Sequence, residues 1–256
     1  MIAAGNEIRL SAPDRCALKG GPIMSLKVIA LPRGRVARLA GIFYLAYIVV
    51  YAASTFIQGK PIAWENAAAT ANAIVASQGV FRIGVSMELI AALLFLLAAW
   101  ALYVLFKPIN SELALLFLLL NLVGVAIECV ATLLHFAALM LCTDTATLSA
   151  FKPDELQTLG LIFLKLSGSG SMVCGPFYAA WLFPLGLLVI KSRLLPKVIG
   201  VLLILDGISL MICLVQEWFI PGYEKWMYPL YPVMFVAEFG LGLWLAIAGV
   251  KDRMLA

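Results

Sequence analysis

The sequence predicts an all-α, polytopic integral membrane protein in which six transmembrane helices form one bundle. Three observations predict this fold. Of the 256 residues, 64% are hydrophobic and 12% are charged, with a mean hydropathy of +1.03. A soluble domain is about half apolar and about a quarter charged, so this chain could not cover its own surface in water. Six apolar stretches are long enough to cross a bilayer, which takes about 20 residues each. The third observation is that basic residues gather on one side of these stretches.

The six predicted spans divide the chain into a tail, a membrane domain and a short C-terminus. The spans cover residues 39–57, 83–106, 113–142, 168–190, 198–219 and 230–250. They form a membrane domain at 38–251, between a basic tail at 1–37 and a C-terminal segment at 252–256. The tail has no apolar core typical of a signal peptide, and its polar composition predicts disorder. Met24 is an alternative start of the chain that the sequence leaves open.

Lysine and arginine predict the orientation of the spans. Four basic residues lie between spans on one side, at Lys60, Arg82, Lys152 and Lys225. Thirteen lie on the other side: Arg9, Arg15, Lys19, Lys27, Arg33, Arg35, Arg38, Lys107, Lys191, Arg193, Lys197, Lys251 and Arg253. Because cytoplasmic loops carry the excess of basic residues, both termini are predicted to be cytoplasmic in a multi-pass protein of the cell membrane. The even number of predicted spans is consistent with this, because it places both termini on the same side of the membrane.

Two segments depart from a simple series of spans. The first outer loop contains "WENAAATANAIVASQG", whose alanine content predicts a short helix at the membrane surface. The fourth apolar stretch, 156–190, would measure roughly 52 Å as one helix, too long for an ordinary span. One alternative is a tilted helix with an outer extension, which lets Lys165 reach water. The other is a helix broken at "SGSGS" (167–171), which brings Lys165 inward.

Known catalytic and cofactor motifs are absent from the sequence. The five cysteines form no CxxC pair and are scattered, which fits neither a disulfide framework nor a zinc site. One histidine cannot complete HExxH or a haem-binding pair, and no Walker A, Rossmann or GxSxG motif is present. The basic residues flank spans and form no separate domain, so no nucleic-acid partner is expected. The sequence therefore predicts no catalytic residues, no cofactor and no metal.

Three stretches carry a family resemblance. They are "ALYVLFKPINSELALLFLLLNLVGVAIE", "WLFPLGLLVIKSRLLPKVIGVLLILDGI" and "EFGLGLWLAIAGVK". Together they resemble the bacterial membrane-protein family catalogued as domain of unknown function 4386, from about residue 36 to residue 251. The resemblance implies a multi-span helical protein of the bacterial cytoplasmic membrane, and it implies no activity. Asp206 departs from the small apolar residue that the resemblance leads us to expect.

A stripe of polar residues crosses the third span. Asn121, Glu128 and His135 follow one another at intervals of seven residues, which drift by only about 20° per step around a helix. Ionisable groups at this depth are costly in lipid and face the bundle interior. We therefore expect the stripe to meet acids of other spans. The candidate polar centre is Glu88, Glu128, His135 and Glu238, and the secondary candidates are Asn121, Lys165 and Asp206.

Two functions are compatible with this polar centre. The first is a non-enzymatic structural, sensory or accessory role, in which buried polar groups hold helices together by hydrogen bonds. The alternative is a proton-coupled transporter or permease for a small solute that uses Glu128, Glu88 and Glu238, since secondary transporters place such groups near the membrane midplane. The expected partners are the lipid bilayer and an unknown small solute or protons. Six spans are few for a transporter protomer, which favours a homodimer.

Overall fold

The computed structural model describes residues 32–144 and 148–250, which fold into helices without any strand. The predictions for the tail up to residue 31, for Met24 as a start and for the C-terminus at 252–256 lie outside these residues. In chain order the elements are α1 (Arg33–Gly59), α2 (Ala67–Ala76), α3 (Gln78–Phe106), α4 (Ser111–Thr143), α5 (Pro153–Ala180), α6 (Leu182–Ser192), α7 (Lys197–Phe219), a 3-10 turn (Glu224–Met227) and α8 (Tyr231–Ile247).

The long apolar helices make the chain a helical membrane protein. Five segments are long and apolar enough to cross a membrane: α1, α3, α4, α7, and α5 together with α6. The last helix, α8, is apolar but has only 17 residues. It measures about 26 Å at 1.5 Å per residue, slightly less than the roughly 30 Å of the hydrocarbon core. The fold class is confirmed, whereas the count of six spans stays a prediction.

Successive membrane helices run antiparallel and define two ends of the bundle. The basic end holds Lys107, Lys191 and Lys197, and the other end, here named the α2 end, holds α2 and the turn before α8. Helix α1 packs on α3 and α8, α4 packs on α5, and α7 packs on α6 and α8. The interior therefore receives side chains from every long helix.

The short helix expected in the first loop is α2. Asn66 caps it, because the Asn66 side-chain oxygen accepts a hydrogen bond from the Ala69 backbone N–H at 2.9 Å. The Thr70 hydroxyl donates to the Ala63 carbonyl at 2.9 Å, which ties the helix to the preceding loop. Helix α2 packs against α4 and α5 and covers the end of the bundle on that side.

The fourth span is interrupted at Trp181 and not at the glycine–serine run. Helix α5 begins at Pro153, well before residue 168, and continues unbroken through 167–171. Helix α5 ends at Ala180 and α6 begins at Leu182. Pro184 has no N–H for the Ala180 carbonyl, and its ring crowds that carbonyl, so the helix is interrupted one turn before the proline. The alternative of a break at 167–171 is wrong, and Lys165 is exposed on the surface of α5.

Thiol labelling tests the orientation of the bundle. In a variant with all five native cysteines replaced, single cysteines would be placed at Lys19, Asp144, Lys197 and Glu224. We expect a membrane-impermeant reagent to label positions 144 and 224 in whole cells, and positions 19 and 197 only after permeabilisation. Cys174 should be replaced by serine, which keeps a hydrogen-bond donor at its position. Labelling of 19 but not 144 in intact cells would reverse the orientation.

Candidate functional site: two polar groups in the bundle

The buried acids lie in two groups at different places in the bundle. We name the first the histidine group; it comprises Gln58, Glu88, Glu128, His135, Ser167 and Cys174, from α1, α3, α4 and α5. We name the second the aspartate pair; it comprises Asp206 of α7 and Glu238 of α8. Each group combines side chains of different helices, as buried polar groups in a membrane protein require.

Glu88 is the centre of the histidine group. Its side chain is buried, and its Oε2 accepts a hydrogen bond from Gln58 Nε2 at 3.1 Å. The same Oε2 lies 3.2 Å from His135 Nδ1. Gln58 Nε2 also donates to Ser54 Oγ at 2.9 Å, which holds the amide in place. One carboxyl oxygen of α3 thus connects α1 with α4.

Glu128 continues the group toward the middle of the bundle. It is 4% exposed, and its carboxyl group lies within hydrogen-bonding range of the Glu88 carboxyl. On α5, Cys174 Sγ donates to Glu128 Oε2 at 3.0 Å. The Thr132 hydroxyl donates to the Glu128 backbone carbonyl, so it does not bind the carboxylate. Glu128 of α4 therefore contacts both Glu88 of α3 and Cys174 of α5.

His135 lies between Glu88 and the α2 end. Its Nδ1 is 3.4 Å from Ser167 Oγ, which also donates to the Ala131 carbonyl at 2.8 Å. A cavity of about 160 Å³ borders Glu88, His135 and Ser167 and extends to Trp64 in the loop between α1 and α2. We name it the α2-end cavity. It brings the histidine group close to the α2 end of the protein.

The aspartate pair faces a second cavity, named here the central cavity. Asp206 and Glu238 each lie nine residues from the basic end of their helix, which places them at the same depth. Asp206 is fully buried, and among the described residues neither of its carboxylate oxygens has a hydrogen-bond partner. The Tyr44 hydroxyl faces the Glu238 carboxyl, although the two are not aligned as a hydrogen bond.

The central cavity has a volume of about 280 Å³ and joins both polar groups. Glu128 and Cys174 of the histidine group line it, as do Asp206 and Glu238. Its remaining walls are aromatic and aliphatic, with Tyr47, Tyr51, Phe95, Tyr178, Trp181, Phe235 and Phe239 as the aromatic members. Tyr51 lines the α2-end cavity as well. Glu88 of the α2-end cavity contacts Glu128 of the central cavity, so the histidine group borders both cavities.

Three predicted residues lie outside the histidine group: one member of the expected polar centre and two secondary candidates. Glu238 faces the central cavity with Asp206 and does not complete the group around Glu88 and His135. Lys165 is exposed on α5 and belongs to neither group. Asn121 is fully buried, and its side-chain amide has no hydrogen-bond partner among the described residues, so it belongs to neither group. The functional roles of these residues stay predictions.

The sequence did not predict a role for several residues of the two polar groups and of the cavity walls. Gln58 was placed just outside the first span, although its spacing of four residues from Ser54 predicts that both share one helical face. The scattered cysteines predict neither a disulfide nor a zinc site and give no hint that the Cys174 thiol donates a hydrogen bond to the Glu128 carboxylate. The aromatic walls carry no local signal, because tyrosine and tryptophan are frequent in membrane helices for other reasons.

The described part of the chain holds no group of three or more histidine, cysteine or acidic residues arranged for a metal ion. The family model described as "Domain of unknown function (DUF4386)" matches residues 39–249. The chain belongs to this family. No curated protein matches the chain, and no solved structure matches it. The matched range contains every residue of the histidine group and of the aspartate pair, so both groups are part of the DUF4386 domain.

Proposed function

We propose that the protein is a proton-coupled permease that moves a small solute across the membrane. The observation that carries this proposal is the position of Glu88 and Glu128. The two carboxyl groups are in contact, with Glu88 on the α2-end cavity and Glu128 on the central cavity. Protonatable groups between two cavities are what a proton-coupled transporter needs at its centre.

The chemistry of the histidine group suits proton transfer. A hydrogen bond between two carboxyl groups requires a proton on one of them, so Glu88 and Glu128 can share or exchange one. His135 Nδ1 lies 3.2 Å from Glu88 and can deliver or accept that proton. Protons would then pass between the α2-end cavity and Glu128 in two short steps. The central cavity would supply the place where protonation and solute binding meet.

A purely structural role explains the histidine group but not the aspartate pair. Helix-joining polar groups satisfy one another by hydrogen bonds, as Gln58, Glu88 and His135 do. Asp206 leaves both carboxylate oxygens without a partner among the described residues, in a position fully shielded from the surface. A buried acid that gains no hydrogen bond costs stability. The permease proposal gives this acid a ligand.

Flux measurements in liposomes test the proposal. The purified protein would be reconstituted with a pH-sensitive dye inside, and solutes would be added one class at a time. We expect at least one class to change internal pH, and we expect Glu128→Gln to reduce that change at least about tenfold, because the amide cannot carry the proton. The matched control is Glu217→Gln, since Glu217 is exposed on α7.

Two results would count against the permease. Flux that survives in Glu128→Gln would exclude Glu128 from the proton path. Absence of flux for every class, with correctly folded protein and measurable ligand binding, would instead favour the sensory or accessory role. Folding of each variant is checked by its elution as a single species in detergent.

A further inference from the structure

We infer that the central cavity is a binding site for a small organic ammonium ion, held by Asp206 and Glu238 against aromatic walls. The inference deepens the proposed function by naming the class of solute, and it rests on that function only for transport. Binding itself can be measured without flux. Three separate features of the cavity support the inference: its negative charge, the absence of a hydrogen-bond partner for Asp206 among the described residues, and its aromatic walls.

The charges of the cavity favour a cation. Three acids line it, Glu128, Asp206 and Glu238, and no lysine, arginine or histidine is among its described lining residues. Carboxylates inside a membrane need a proton or a cation to compensate them. Glu128 already contacts Glu88 and Cys174. Asp206 and Glu238 are therefore the carboxylates that can pair with a bound cation.

Asp206 shows where the ligand's charge would lie. Its side chain is fully buried and borders the cavity, and neither carboxylate oxygen has a hydrogen-bond partner among the described residues. Buried polar groups are almost always hydrogen-bonded in native proteins, so an exception needs an explanation. An ammonium ion would neutralise the charge, and the oxygens would accept hydrogen bonds from its N–H groups or, where the nitrogen carries no hydrogen, from a hydroxyl group of the ion.

The aromatic walls favour an organic cation over a hydrated inorganic ion. Phe95 is stacked on Tyr47 with ring centroids 4.2 Å apart, and it meets Trp181 edge to face at 5.2 Å. Tyr178 packs against the same phenylalanine at 5.4 Å. Aromatic faces attract alkylammonium groups through their quadrupole and also cover the alkyl carbons. A metal ion would require more oxygen ligands close together, which Asp206 and Glu238 alone do not provide.

The size of the cavity limits the ligand. A volume of about 280 Å³ lies at the small end of known ligand pockets, which begin at about 300 Å³. It suits an ammonium ion with a few carbon atoms and excludes multi-ring cations. Butylammonium and choline are suitable probes. Their neutral counterparts of similar shape, 1-butanol and 3,3-dimethyl-1-butanol, separate the effect of charge from that of apolar contact.

Calorimetric titration of the detergent-purified full chain tests the inference. We expect butylammonium or choline to bind, and the matching alcohol to bind at least about tenfold more weakly. Asp206→Asn, which removes the charge and keeps the shape, should weaken cation binding by at least about tenfold. Trp181→Leu should weaken cation binding severalfold and leave the alcohol unaffected. Glu217→Gln serves as the exposed control and should bind like the unmodified protein.

Three outcomes would overturn the inference. They are equal binding of the cation and its alcohol, undiminished binding by Asp206→Asn, and binding of sodium or potassium ions in preference to both probes. If Asp206→Asn does not fold, Glu238→Gln is measured in its place with the same expectation. Ammonium binding without any flux would leave this site intact and would count against the permease alone.

Discussion

Replacing Glu88 by alanine is expected to lower the free energy of unfolding by about 3–5 kcal/mol, the range measured when one partner of a buried ion pair is removed. The reason is that three groups depend on this carboxyl. Gln58 Nε2 and His135 Nδ1 both lie within 3.2 Å of Glu88 Oε2, and the Glu128 carboxyl contacts Glu88 as well. Without Glu88 these side chains remain largely buried with fewer partners, and a buried polar group that loses its hydrogen bond costs stability.

Chemical or thermal unfolding in detergent micelles, followed by circular dichroism, measures this change. Glu88→Gln should cost clearly less than Glu88→Ala, because the amide oxygen still accepts a hydrogen bond from Gln58. Glu112→Ala on the exposed start of α4 should change stability by less than about 0.5 kcal/mol, as surface substitutions do. A Glu88→Ala protein as stable as Glu112→Ala would show that these contacts contribute nothing to folding.

The membrane fold could be predicted because the bilayer imposes simple rules on sequence. A span needs a run of apolar residues, and the runs at 39–57, 83–106, 113–142 and 198–219 all lie within helices of the protein. These rules do not predict where a helix begins or ends when the helix and its apolar stretch differ in length. The fourth span begins at Pro153, because the polar first turns of α5 can lie beyond the apolar stretch. The last helix, Tyr231–Ile247, is shorter than its apolar stretch.

The inward direction of Glu128 could also be predicted, because the energetic cost of a carboxylate in lipid leaves no other direction. The residues that each acid contacts could not be predicted from the sequence. Depth counted from the α2 end placed Glu238 with Glu88 and His135, whereas depth counted from the basic end matches it with Asp206. Helices differ in length and tilt, so the choice of end decides the pairing. Asp206, which departs from the expected family pattern and is predicted only as a secondary candidate, borders the central cavity.

Helices α6 and α7 are held together by a close approach of their backbones, without a polar side-chain contact among the described residues at the crossing. At the basic end α6 crosses α7 at Gly186 and Gly200. A Cβ atom on either glycine would lie 2.7 Å from the carbonyl oxygen of the other. Small residues allow this kind of contact, which drives the association of helices in membranes where the hydrophobic effect does not. The position of Asp206, six residues or about 1.7 turns along α7 from Gly200, depends on it.

Gly200→Ala is therefore expected to lower the free energy of unfolding by about 1–3 kcal/mol, as other overpacking substitutions do. The new methyl group would meet the Gly186 carbonyl oxygen at 2.7 Å and Ile190 Cγ1 at 2.7 Å. Ile190 can change its rotamer, but the carbonyl belongs to the backbone of α6, so relief requires the two helices to separate. Unfolding in detergent micelles measures the loss of stability.

The matched control is Gly240→Ala in α8, where an added Cβ meets nothing within 4 Å. In a helix without such a contact, alanine is more favourable than glycine by about 0.5–1 kcal/mol. The same chemical change should thus destabilise the protein at residue 200 and stabilise it at residue 240. Helix propensity acts equally at both sites, so only the packing of α6 on α7 can produce opposite signs. A gain of stability at both positions would mean that the two backbones do not approach this closely in the membrane.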